Sequence, residues 1–365
     1  MGMIAKGLEG VEVDTTAVSL VDGEAGKLSY RGHDIATLVD WPFAKVVLLV
    51  VTGSEPSDAE LREFENACRT AARLSESDRE LLASAARTDA HPMSVLQGLV
   101  PLLSHSNEFT AFGDAGHGFT VAAKLPALIA GLYGLRNSGM LPCQSDALDV
   151  NVRFLEQMGL RTTPLLVRAF NITQILQIEH GFNASTFTAR VVASTLVNVE
   201  NAIAGALGAL HGPLHGGADQ AALEMALEVG DACRAAAFVD ECLATGRKIM
   251  GMGHREYKVL DPRARYEKAM ACELAAGTPL EPIYKTLEAI EAQFRARMLE
   301  RGKSLYANLE FYKGIVYRAA GLPAEYFTAA FAMARVYGYL AHFIESRIDN
   351  RIIRPAARYV GIIPA

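Results

Sequence analysis

His180, His215 and His254 each stand in a run of glycines and small polar residues: EHGFNASTFTAR from Glu179, HGPLHGGAD from His211, and MGMGHREYKVLDPRAR from Met250. Glycine beside histidine lets a ligand or another backbone approach closely, and the arginines that follow two of the runs suit an anionic partner. Together the runs predict one cleft assembled from distant stretches of chain. Each histidine alone is a weak signal, because a lone histidine is more often a hydrogen-bonded structural residue. His33, His91, His105, His117 and His342 are read that way.

His211 and His215 stand four apart, which on a helix would suit a metal. Gly212 and Pro213 lie between them and break such a helix, so no metal site is expected there. Pro213 instead predicts a helix start, with His215 in its first turn near the positive end of the dipole. A neutral imidazole there can donate to a carbonyl gaining negative charge, which is enolisation chemistry. In KSLYANLEFYKG from Lys303, Glu310 lies near Tyr306, Phe311 and Tyr312. A partly apolar setting would raise its basicity, as a base beside a carbonyl requires, although a surface-facing glutamate at a helix start fits the same residues.

The elements that must position these groups read as helices. Apolar spacing predicts them over 57–74, where Ser57 and Glu60 form a capping box, and over 79–86, 94–103, 120–135, 145–155, 164–178 and 188–210. Further helices are expected over 221–228, 234–245, 262–275, 283–300, 310–319 and 324–345. The segment 188–210 is dense in small residues and reads as one buried central helix or one at a subunit interface, so a homodimer is expected. Strand signals are confined to 11–19 and 27–30, a hairpin around Asp22-Gly23. The expected class is all-α with a small N-terminal β element.

With 365 residues, half of them hydrophobic, the chain is long enough for two domains or one domain with a second lobe. A net charge of -6 argues against general attraction to nucleic acid or anionic membranes, so anion binding must be local. The five cysteines contain no C-x-x-C pair and fit reduced thiols. The start has no apolar core like that of a signal peptide, and runs such as Val46 to Val51 are too short for a membrane span. A cytoplasmic protein is expected.

The segments EHGFNASTFTAR, GALHGPLHGGAD, GMGHREYKVLDPRAR, NLEFYKG and RPAARYVG resemble, in order and approximate spacing, the active-site segments of the citrate synthase family. KLSYRGHDIATLVD, a hydrophobic segment ending VTGSEPS, and HPMSVLQ are similar to its short bacterial and archaeal form, so the resemblance spans nearly the whole chain. It implies a two-domain helical fold with a large domain from 1–212 and 322–365 and a smaller, closing, CoA-binding domain over 213–321. It also implies a homodimer, or a hexamer built from such dimers, with no permanently bound cofactor and with acetyl-CoA as co-substrate. His215 would then hydrogen-bond the thioester carbonyl while Glu310 removes a methyl proton, and His254 would act on the ketone of oxaloacetate. His180, Arg263, Arg335 and Arg354 would hold oxaloacetate, Arg354 from the partner subunit, and Arg255 and Lys258 would meet CoA.

Three positions depart from the family pattern. Glu310 stands where aspartate is usual, so its longer side chain must fold or its backbone stand back. Ala356 replaces a frequent arginine, and Glu256 takes a usually apolar place near the expected CoA phosphates. The alternatives to citrate formation are a 2-methylcitrate synthase using propionyl-CoA, and a weak or inactive relative that serves as a ligand-binding regulatory subunit.

Overall fold

A computed structural model describes residues 4–113 and 115–362. Its strands β1 (Ser19–Asp22), β2 (Lys27–Tyr30) and β3 (His33–Asp34) form one antiparallel sheet in that order. The turn falls at Asp22-Gly23 as expected, with Asp22 opposite Lys27. Strand pairing begins only at Ser19, not at Val11. The preceding segment is tied instead to distant side chains: Asp14 pairs with Arg190 at 2.5 Å, and Ala17 N donates to Glu345 Oε1 at 2.7 Å.

The helices begin with α1 (Ile35–Leu38), α2 (Phe43–Thr52), α3 (Asp58–Ala71), α4 (Glu76–Ala86), α5 (Pro92–Leu99), α6 (Ala115–Ser138), α7 (Val150–Gln157) and α8 (Pro164–Gln177). They continue with α9 (Ala184–Ala193), α10 (Val199–Leu210), α11 (Ala218–Val229) and α12 (Ala235–Thr245). The last are α13 (Ala264–Ala275), α14 (Glu281–Glu300), α15 (Glu310–Ala320) and α16 (Phe327–Ile348). Ser57 and Glu60 make the expected capping box at α3, and Ser75 with Asp78 makes another at α4. Helix α2 carries an unbroken buried run, Val46 to Val51, and a helix buried on all sides shows no amphipathic period.

The single helix expected over 188–210 is two. The chain breaks at Leu196, whose φ of 68° is left-handed, and restarts after Asn198. Tail residues fix the break: Ile353 N donates to Ser194 Oγ at 3.0 Å and Asn350 Nδ2 to Ser194 O at 3.1 Å. Helix α6 is long and apolar enough to cross a membrane, yet 83% of its apolar window is buried in the fold. It carries Lys124, paired with Asp78 at 2.7 Å, so it is a core helix.

Helix α16 runs through the middle, packed on α2, α6, α9 and α10. Helices α11 to α15 pack mainly on one another, while α15 and α13 also meet α8. The loops bearing His180, His215 and His254 lie where these two groups of helices face each other.

Candidate active site

His180 sits in the short connection between α8 and α9. Asn183 ends that connection by accepting from Thr186 N at 3.1 Å, capping α9. Gly181 has a φ of 57°, which a side chain would strain. Beneath lies buried Glu179, whose Oε1 accepts from Ser19 Oγ at 3.0 Å and is 2.9 Å from His342 Nε2. Tyr30 Oη donates to Glu179 O at 3.0 Å, so β1 and β2 brace this loop. His180 Nε2 faces Tyr257 Oη at 3.1 Å, and its ring meets His254 edge-on at 5.2 Å. Burial, then the charge of Arg263, holds His180 well below the usual histidine pKa.

His254 is set by its own loop. Its Nδ1 accepts from Glu256 N at 3.0 Å and Tyr257 N at 3.3 Å, so the neutral ring carries its proton on Nε2. Burial, then Arg263, lowers its pKa to about 4. Arg263, also buried, places Nε and Nη2 on Asp261 at 2.9 and 2.8 Å. Burial works against the guanidinium charge, but Asp261 outweighs it and raises the Arg263 pKa. Arg263 Nη2 lies 3.5 Å from His254 Nε2. With the His254 proton on Nε2 both groups are donors and do not satisfy each other, whereas an acceptor oxygen within reach of the two would satisfy both.

The hairpin holds this loop from outside. Lys258 N donates to Gly23 O at 2.9 Å, and a Cβ at Gly23 would come within 2.1 Å of Glu256 O. From inside, Met252 bridges Ala307, while Asn308 Nδ2 donates to Gly253 O at 2.9 Å. A small cleft lined by His254, Tyr257, Asp261, Ser304, Leu305 and Tyr306 opens beside it.

His215 does not occupy the first turn of a helix. Residues 211–217 form successive turns and α11 begins at Ala218, because Gly216 must pass within contact of Leu210 O and Thr328, where no side chain fits. His215 Nε2 lies 2.7 Å from Ser185 Oγ. Burial lowers its pKa to about 4, followed by Arg335 and Lys313, so desolvation rather than a helix dipole keeps it neutral.

Glu310 opens α15, its N–H donating to Asn308 Oδ1 at 2.9 Å. Its surroundings are ionic rather than apolar: the carboxylate folds back to Lys313 Nζ at 2.5 Å, one turn along the helix. Lys313 is fully buried and also meets Asp219 Oδ2 at 3.2 Å and Gln177 Oε1 at 3.2 Å. Close by, Glu267 is 1% exposed beside Thr173, with neither oxygen making a well-aligned hydrogen bond. Burial pushes its pKa to about 8. Burial also raises Glu310, opposed by Lys313 and helped by Asp219. Burial would strip the Lys313 proton, but Asp219 and Glu310 raise its pKa and keep it cationic.

Arg335, on α16, is buried with Nε donating to Gln177 O at 2.7 Å and its guanidinium over Phe331. His180, His254, Arg263 and Arg335 therefore share one electrostatic neighbourhood, and His215 joins through Arg335 and Lys313. Arg354 lies exposed on the tail after α16, and no hydrogen bond or ion pair links it to this group. Arg255 and Lys258 are exposed on the outer side of the His254 loop, where Arg255 Nη2 donates to Gly7 O at 3.3 Å. Sequence reasoning missed Ser185, Tyr257, Asp261, Lys313, Asp219 and Glu267. The Glu310–Lys313 spacing was a usable signal, since residues three apart share a helix face.

The facing loops of this helical fold thus gather histidines held neutral, buried arginines and several carboxylates, a set suited to carbon–carbon bond formation at a carbonyl. The family model for the citrate synthase C-terminal domain matches residues 7–356. The chain is 37% identical over 363 residues to citrate synthase from Synechocystis sp., covering 98% of this chain and 90% of that one. It is 34% identical over 362 residues to 2-methylcitrate synthase from Shewanella oneidensis, covering 98% and 95%. A solved citrate synthase from Thermoplasma acidophilum, in a ternary complex with carboxymethyl coenzyme A and oxaloacetate, superposes with a TM-score of 0.89 at 28% identity, covering 100% and 98%. The chain belongs to the citrate synthase family.

Proposed function

We propose that this enzyme condenses acetyl-CoA with oxaloacetate. The observation that carries the reading is the pair of donors at His254 Nε2 and Arg263 Nη2, 3.5 Å apart with the histidine tautomer fixed by two backbone N–H groups. The ketone oxygen of oxaloacetate accepts from both, which draws electrons from the carbonyl carbon. His180 and Arg335 hold the carboxylates, and Arg354 of a second subunit completes the set in a homodimer. A Ser185 hydroxyl that donates to His215 Nε2 leaves the His215 proton on Nδ1, where it donates to the thioester oxygen. Glu310 takes a methyl proton, and the resulting enol carbon bonds to the ketone carbon as the ketone oxygen is protonated. Water then cleaves the thioester to give citrate and free CoA, with no permanently bound cofactor. Lys313 acts as a positioning residue, folding the longer Glu310 side chain back to where a shorter acid would sit.

Residues 213–321 form the closing domain in this reading, with Arg255 and Lys258 at the CoA phosphates, and the enzyme works in the cytoplasm. Comparing kcat/KM for acetyl-CoA and propionyl-CoA with oxaloacetate tests the assignment. A clear preference for propionyl-CoA would make it a 2-methylcitrate synthase, a choice that turns on one methylene and about 1–3 kcal/mol. Tight oxaloacetate binding with no CoA release from either thioester would identify a regulatory subunit instead.

A further inference from the structure

Away from the active site, His105, His117 and Glu200 converge from three elements: the loop preceding α6, the first turn of α6 and the first turn of α10. His117 Nδ1 is 3.1 Å and His105 Nδ1 3.5 Å from the same oxygen, Glu200 Oε1, with the two rings stacked at 3.8 Å. One donor atom from each residue lies within 4.8 Å of the other two. Bonds of about 2.0 Å in a tetrahedral zinc site put ligand atoms about 3.3 Å apart, and the two histidine–carboxylate separations bracket that value.

A second observation points to a cation. Glu200 is 2% exposed, and its Oε2 is buried without a hydrogen-bond partner among the described residues. The two histidine nitrogens approach Oε1 alone and leave that second oxygen unsatisfied, whereas a cation held by the carboxylate compensates the whole group. The ligands are also held in place. Ser104, next to His105, donates through N to Asp78 Oδ1 at 2.8 Å and accepts from buried Lys124 Nζ at O and Oγ, 2.5 and 2.7 Å.

We propose that His105, His117 and Glu200 bind a first-row divalent metal ion of the zinc type. Two imidazoles and one carboxylate are a recurrent three-ligand set for zinc, and the histidine side chains, 55% and 45% exposed, leave a fourth position to water. The ion ties α6 to α10 at the end of α10 remote from the His215 loop. Twelve residues of helix at about 1.5 Å each separate the two by about 18 Å, so the ion braces the fold and takes no part in the condensation.

Calorimetric titration of Zn2+ into the chelator-stripped full chain is the test. One ion per chain is expected to bind at micromolar concentration or below, with affinity falling at least tenfold in His105→Ala and in His117→Ala. Affinity is expected to persist when the exposed Cys143, Cys233 and Cys272 are all replaced by serine. Cobalt loading should show tetrahedral visible bands without thiolate charge transfer. Unchanged turnover of the metal-free histidine variants verifies their folding. Absence of stoichiometric binding, parental affinity in either histidine variant, or loss of the site with the cysteines would each overturn the proposal.

Discussion

The two halves of the active site solve opposite electrostatic problems. Around His180, His254 and Arg263 the groups are cationic or neutral, and their partners are already in place: Asp261 on the guanidinium, backbone N–H groups on His254, Tyr257 on His180. Around Glu310, three acidic residues share one buried lysine: Glu310 and Asp219 both pair with Lys313, at 2.5 and 3.2 Å, while buried Glu267 is left without a well-aligned hydrogen bond among the described residues. In the proposed reading the first half receives a dianion on groups already oriented by these partners. The second keeps a carboxylate poorly solvated, as a base must be to take a weakly acidic proton. The binding groups are oriented by partners within the chain, while the carboxylate half concentrates acidic groups on a single buried cation.

Removing the proposed base separates the halves most sharply. Glu310→Gln is expected to lower kcat by about 10^3–10^4-fold while oxaloacetate binds as before, measured by CoA release and by calorimetry with oxaloacetate alone. Near-normal turnover would mean that another group takes the proton.

The next largest effect concerns the strain of the acidic half. Glu267 has its pKa raised to about 8 from 4.5, so between those values the native state holds a proton that the unfolded chain has lost. Native stability therefore falls as pH rises across this window. At 1.36 kcal/mol per unit, the difference in unfolding free energy between Glu267→Gln and the parent should change by on the order of 3–4 kcal/mol from pH 5 to pH 8, in favour of the variant. Comparing the two proteins cancels His215 and His254, whose lowered pKa values act in the opposite direction, adding stability as pH rises from about 4 to 6.5. A constant difference in urea midpoints across pH would show that Glu267 is ionised.

Lys313→Met should lower kcat by roughly 100-fold with little change in KM for oxaloacetate, because a displacement of about 1 Å of a reacting group costs that much. A purely structural role would not move the pH profile. Here the acid limb should shift to higher pH, since Lys313 is the charge that opposes the raised pKa of Glu310.

Much of this was legible in the chain. The histidine runs and Glu310 stand out by residue type and setting, Arg263 and Arg335 only through the family resemblance, and most helices follow their apolar spacing. What was hidden depends on distant chain. Residues 188–210 contain no proline, and the cap-type residues Ser194 and Asn198 take effect where the tail bonds to Ser194 at the break. His215 looked like a first-turn residue because Pro213 favours a helix start, yet the close passage of Gly216 over Leu210 delays the helix to Ala218. Glu267 lies in an otherwise ordinary helix pattern, so nothing local marks it as the buried neighbour of a base.

The smallest expected effect tests whether the keto-acid half is fixed from outside. Gly23 sits in the hairpin turn, and the backbone oxygen of Glu256 lies only 2.1 Å from where its Cβ would be. Backbone cannot yield as a flexible side-chain tip can, so Gly23→Ala must push the 254–258 loop or bend the hairpin. The loop carries the two N–H groups that fix the His254 tautomer, whereas Glu310 and Lys313 hang on α15 and are reached from it only through Asn308, which bonds both Gly253 O and Glu310 N. The variant should lose about tenfold in kcat/KM for oxaloacetate, keep the acid limb of kcat where Glu310 sets it, and lose about 1–3 kcal/mol of stability. An acid limb that moves with Gly23 would mean the two halves are mechanically one, and the division between a satisfied binding half and a strained base half would fail.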